Sequence, residues 1–205
     1  MEFNYNNKSY YLVIINSTNF KTASNAALIR QSRLCDRAFI SQEYEKIAYD
    51  SLEDDGMYGV FIMNSHHVSQ GVIIIDINCS QMDNAIVGNT LHAVELTLLC
   101  SNQLTRVPGL FRETLNIVTS SIIPSIKPGT TKVLLNVNSE NKKAVQFYTT
   151  YGFNRVDGYD NIFSYRIRSS SSRGRTKSSS SRGRTKSSSL RGRTKSSSSR
   201  KRFLS

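Results

Sequence analysis

The sequence predicts a mixed α/β fold, a sheet with helices on both faces, followed by a long polar tail. Short β-branched apolar runs alternate with stretches of helical periodicity. Two of those runs are separated by only the six residues of "SHHVSQ", the mark of an antiparallel hairpin within the sheet. The apolar pattern then stops near Arg168, and nothing after it could build a core.

Taken in order, "YYLVIIN" at 10–16 reads as a buried strand, being β-branched and apolar. From Thr22 to about Ser51, residues such as Ala27, Leu28, Ile47 and Ala48 mix with polar ones, as in one or two amphipathic helices. "MYGVFIMN" at 57–64 and "GVIIIDIN" at 71–78 are the hairpin strands, and "HAVELTLLC" at 92–100 is another strand. A helix is expected from about Gly109 to Ile123, with Leu110, Phe111, Leu115, Val118 and Ile122 on one side and Pro124 and "KPG" ending it. "TKVLLNVN" at 131–138 is a strand, and 140–151 a short helix whose Ala144, Phe147, Tyr148 and Tyr151 recur at helical spacing. Gly152 is placed to cap that helix. "FSYRIR" at 163–168 is the last strand. A hairpin followed by βαβ units implies a mixed sheet covered on both faces.

Charge divides the chain at the same place. Of 27 Lys and Arg, 12 fall in 169–205, which has no Asp or Glu; the other 15 balance the 15 acidic residues. The domain at 1–168 is therefore neutral, and the net charge of +12 belongs to the tail. The tail repeats with a period of nine, "SSSSRGRTK" at 169–177 and again at 178–186, and offers no apolar face to bury. Disorder is expected there. Such a string suits non-specific binding of nucleic acid or another polyanion, and without aromatic residues in its repeats it is not expected to read sequence. The closing "SSSSRKR" suits nuclear import, and the serines beside arginines suit phosphorylation.

Cys35, Cys79 and Cys100 are odd in number, widely spaced and set in apolar runs. With no secretory signal and no CxxC pair, they read as reduced, mostly buried thiols of an intracellular protein, without a metal. The apolar stretches are strand-length, too short to span a bilayer, so no membrane partner is expected.

Two segments carry chemistry. "NVNSENKKAVQFYTTYGF" at 136–153 resembles the Asn-x-x-Ala-x-x-Phe/Leu-Tyr-x-x-x-Gly-Phe signature of the GNAT superfamily of acetyl-CoA-dependent N-acetyltransferases, with Asn141, Ala144, Phe147, Tyr148, Gly152 and Phe153 in register. "LLCSNQLTRVPGLFRETL" at 98–115 sits where that superfamily has a strand, then Arg/Gln-x-x-Gly-x-Gly/Ala, then a helix. Arg106 and Gly109 match, and Phe111 stands where Gly or Ala is usual. Independently of the resemblance, a turn feeding a helix presents unpaired N–H groups and the positive end of the helix dipole, which suit a pyrophosphate.

The resemblance implies a splayed central strand pair, 92–100 and 131–138, with acetyl-CoA as co-substrate lying in the gap. Candidate contacts are Ser101, Arg106, Val107, Gly109, Phe111, Arg112, Asn141 and Tyr148. Tyr148 is implied as the general acid for the departing thiolate, although its spacing also fits core packing. Asn141 fits either a cofactor contact or a helix cap. Glu95, alone in an apolar strand, is the first candidate for the base; Asp76 and His92 follow, and each also fits a solvent-facing position. The implied activity is acetyl transfer to an amine acceptor, protein or small molecule. The alternative is a degenerate GNAT-like scaffold whose basic tail binds nucleic acid.

Overall fold

A computed structural model describes residues 1–32, 35, 38–80, 82, 86, 90–102 and 104–167; Arg168 and the repeats expected to be disordered lie outside the described residues. The apolar runs form strands with boundaries within two or three residues of expectation. β1 (Glu2–Tyr5) and β2 (Lys8–Asn16) make a hairpin across Asn6 and Asn7, whose φ values of 49° and 60° give the left-handed pair that a tight two-residue turn requires. β1 is an addition to the expected elements. Its residues alternate between exposed and half-buried at a sheet edge, so no apolar run announces it.

The stretch after β2 resolves into α1 (Ala23–Gln31) and α2 (Gln42–Asp50). The Thr22 and Ser41 hydroxyls cap them by accepting from the Asn25 and Tyr44 N–H groups. β3 (Met57–Asn64) and β4 (Ser69–Asp76) are the expected hairpin, followed by β5 (Ala93–Ser101). After α3 (Leu110–Ile117) the helix widens into a π-helical stretch, Val118–Ile122, and resumes as α4 (Ile123–Ile126). β6 (Lys132–Asn136), α5 (Lys142–Tyr151), β7 (Asn154–Arg155) and β8 (Ile162–Arg166) complete the domain.

The strands lie in one sheet in the order β1-β2-β3-β4-β5-β6-β8-β7, with β5 and β6 parallel and the other neighbours antiparallel. One core fills the face under α3, α4 and α5, with Ile73, Val94, Leu96, Leu115 and Val133 at its centre. A second, built on Ile15, Tyr49, Phe61, Ile74 and Leu98, fills the face under α1 and α2. Among the described residues no helix is long and apolar enough to cross a membrane.

Two expectations are corrected. Pro124 does not end its helix, which runs on to Ile126. Proline is costly inside an α-helix because it wastes an i−4 carbonyl and clashes with it. Here the π-helical turn just before it shifts the hydrogen-bond register, and Pro124 is the second residue of the next helical segment, within the first turn, where proline is tolerated. The stop comes at Lys127, followed by Gly129 at φ 83°. Second, Cys35 and Cys100 are not reduced thiols: they form a disulfide, with Cα atoms 5.0 Å apart across 65 positions of sequence. The fold brings the start of the α1–α2 connection onto the end of β5, which no local spacing rule reports. Cys79 is the buried free thiol, and burial, then the charges of Asp76 and Glu95, push its pKa up to about 11.

Candidate active site

The sheet opens at its parallel joint. β5 and β6 are paired over Ala93–Leu96 and Lys132–Leu135, and beyond these β5 continues to Ser101 with, among the described residues, only β4 paired to it. The register with β4 slips between Ile74 and Ile75, which are opposite Leu98 and Leu96, so Thr97 is the extra residue of a β-bulge. Its carbonyl accepts from the Tyr44 hydroxyl of α2 at 3.0 Å. From Thr97 onward the free edge of β5 offers backbone donors and acceptors to a guest.

A cleft of about 610 Å³ runs along this edge. Ser101, Arg106, Val107, Gly109, Phe111, Arg112, Asn141 and Tyr148 all line it. The turn before α3 is shaped by Asn102, which is buried. Its N–H donates to the Gln70 carbonyl at 2.9 Å, its side-chain amide N–H to the Ser69 carbonyl at 3.0 Å, and its Oδ1 accepts from the Leu104 N–H at 2.9 Å. Gly109 then starts the helix at φ 81°. A Cβ there would lie 2.0 Å from the Tyr5 hydroxyl oxygen, which itself donates to the Pro108 carbonyl at 2.9 Å. Glycine is thus required twice over, by conformation and by close approach. α3 begins at the cleft. Its Leu110 N–H donates to the Val107 carbonyl at 3.2 Å, and the next N–H groups of the first turn, those of Phe111 and Arg112, have no intrahelical acceptors. The cations Arg106, Arg112, Lys142 and Lys143 line the cleft, together with the carboxylate-bearing Glu140.

α5 supplies the other wall. Asn141 is its cap, with Oδ1 accepting from the Ala144 N–H at 3.1 Å, and it also borders the cleft, so the two roles open to it are compatible. Gly152 closes the helix in the left-handed conformation, at φ 119°. Tyr148 is only 8% exposed and packs edge-on against Phe147 and Phe153, with centroids 5.3 and 5.7 Å away. Burial raises its pKa well above that of an ordinary phenol, so the hydroxyl keeps its proton.

The three base candidates separate. Glu95 is buried, and its neighbours Val94 and Leu96 face the α3–α5 core, so Glu95 faces the α1–α2 side. Burial first, and then the Glu95 charge, raises the pKa of Tyr44 on α2, whose hydroxyl donates to the Thr97 carbonyl at the bulge. Asp76 is opposite Glu95 on β4, but its oxygens are engaged: Oδ1 accepts from the Asn78 N–H at 2.7 Å, and Oδ2 accepts from the Ser80 N–H and hydroxyl at 2.7 and 2.5 Å. It organises a turn. His92 is exposed, has Nδ1 at 2.9 Å from the Gly129 carbonyl, and precedes the end of β5 remote from the cleft, roughly 20 Å or more along the strand from Ser101.

The cleft also uses residues that carry no motif. Phe39 and Ile40 reach it from the α1–α2 connection, Gln70 from β4, and Cys100 through the disulfide-bonded end of β5. Lys142 and Lys143 adjoin the recognised Asn141, and their charge beside a helix start was the readable clue.

No protein-family model matches the chain, and no curated protein matches its sequence. Solved structures do match in shape. A GNAT-family acetyltransferase from Listeria monocytogenes superposes with a TM-score of 0.56 at 12% identity, covering 82% of this chain and 100% of that one. A GNAT-family N-acetyltransferase from Escherichia coli, crystallised in complex with CoA, gives 0.52 at 16% identity, covering 78% and 82%. Tetrahymena GCN5 gives 0.52 at 13% identity, covering 77% and 96%. At such identities the likeness speaks for architecture alone, and the architecture of this chain is that of the GNAT acetyltransferases.

Proposed function

We propose that the chain transfers an acetyl group from acetyl-CoA to an amine. The observation that carries this reading is the cleft at the free edge of β5, where a helix start, four cations and Tyr148 converge. Those groups fit the cofactor: first-turn N–H groups and cations suit a pyrophosphate, and an unpaired strand edge suits the amides of a pantetheine arm. In the reaction the amine nitrogen bonds to the thioester carbon, the carbon–sulfur bond breaks, the thiolate takes the proton of the Tyr148 hydroxyl, and the proton that the nitrogen sheds on becoming an amide restores that hydroxyl. Glu95 accepts the proton that the ammonium must lose before attack. The two groups lie on opposite faces of the sheet, which suits an acceptor entering under α2 and a cofactor entering beside α5.

Saturating acetyl-CoA, at about 100 times its Kd, is expected to stabilise the full chain by about 2.7 kcal/mol, raising Tm by roughly 5–10 °C. An unmoved Tm would remove the enzyme reading and leave the scaffold reading in its place. For the tail, we propose non-specific polyanion binding through its 12 basic residues. Affinity of the full chain for a mixed-sequence DNA duplex should fall about a thousandfold or more between roughly 50 and 200 mM salt, and truncation after Arg168 should abolish binding. A salt-independent affinity, or one that survives truncation, would contradict it.

A further inference from the structure

Phe111 occupies the second position of α3, beside Arg112 and two residues after the glycine that starts the helix. Its ring extends over the end of β5 to β4. A Cβ built on Gly71 would stand 3.1 Å from Phe111 Cε2 and 2.5 Å from the Cys100 carbonyl oxygen. The missing side chain of Gly71 therefore makes the hollow in which the ring edge rests. On its other side Phe111 meets Phe147 of α5, with centroids 6.3 Å apart and planes inclined by 62°. That is an edge-to-face pair in contact, too close for an extended chain to pass between the rings. Along α5, Lys142 and Lys143 precede Phe147 by more than one turn, and Tyr148 follows it. The two rings, the lysines and the phenol all line the same cleft.

We propose that Phe111 sets the affinity of the cleft for its thioester co-substrate. The Phe111–Phe147 contact ties α3 to α5, and it must open before a pantetheine arm can lie along the free edge of β5. This rests on the acetyl-CoA reading, because the arm is what the rings obstruct. Part of the binding free energy is then used to separate two rings that have no other reason to part. The hollow at Gly71 gives Phe111 a fixed seat, so the obstruction is a defined arrangement of side chains rather than a chance collapse.

The test is CoA binding to the full chain by calorimetry, with association rates by stopped flow. Phe111→Ala is expected to lower the Kd by about 2–10-fold, the worth of one edge-to-face pair, and to speed association. Phe111→Leu keeps the Gly71 hollow filled while removing the ring edge, and should shift both quantities the same way by less. It also serves if the alanine variant is too unstable to measure. Wild-type binding with an unchanged or weaker affinity in both variants overturns the proposal while sparing the cofactor reading. If neither the wild type nor a variant binds CoA, both fall together.

Discussion

Tyr148→Phe in the full chain is expected to lower the rate of acetyl transfer by about 100-fold or more, the usual worth of a positioned general acid. The Kd for acetyl-CoA should stay within about twofold. The substitution deletes one oxygen and keeps the ring that packs against Phe147 and Phe153, so the aromatic wall of the cleft survives. Burial favours the neutral phenol and raises its pKa above the ordinary value near 10. The hydroxyl carries its proton throughout the neutral range, as any phenol does, and burial makes that proton harder to release. The sign for stability follows from the same shift. A folded-state pKa raised above the unfolded one gives a contribution fully present below about pH 10 and lost as pH rises through the folded value. Tyr148→Phe should accordingly flatten the alkaline fall in stability. An unchanged turnover would remove Tyr148 from the chemistry, and an equal loss of turnover and CoA affinity would make it a packing residue.

Opening the Cys35–Cys100 disulfide should have the largest effect on stability. The bond closes a loop spanning 65 positions, for which the chain-entropy account gives about 4 kcal/mol, and Tm should fall by roughly 10 °C. Cys35→Ser is the preferred variant because it leaves β5 unaltered, and reduction of the wild type should reproduce it. Denaturant unfolding of the oxidised, reduced and substituted chains decides the matter; three coincident midpoints would show that the bond contributes nothing. Cys100 borders the cleft, and Phe39 and Ile40 follow Cys35 within five residues, so the reduced chain should also bind CoA less tightly.

Legibility in the sequence followed the range of the interactions involved. α5 could be read almost completely because its determinants are local: Asn141 caps, Gly152 terminates, and Ala144, Phe147, Tyr148 and Tyr151 recur at the helical period. The helix start at Gly109 was equally readable, although the reason it must be glycine, the Tyr5 hydroxyl, comes from the other end of the domain. β1 was missed because an edge strand need not be apolar, yet the adjacent Asn6 and Asn7 were a turn signal. Pro124 misled because its tolerance depends on the helical register before it. The disulfide and the contributions of Phe39 and Gln70 were invisible, since they exist only once the sheet has placed distant segments side by side. For the base, the sequence could rank three residues but not see that Asp76 is occupied and His92 remote.

The limited pairing between β5 and β6 has a mechanical meaning as well. β1 to β5 form one continuous antiparallel plate, while β6, β8 and β7 form a second. Within the sheet these plates are joined along a seam of four residue pairs, Ala93–Leu96 against Lys132–Leu135. Beyond that seam no strand pairing joins the plates among the described residues. What holds them together there is the shared core under α3, α4 and α5, in which Ile73 and Leu96 of the larger plate cluster with Val133 and Phe163 of the smaller. The sheet is thus stitched by backbone at one end and by side chains at the other, so a guest can take the place of the missing strand pairing without breaking a backbone hydrogen bond.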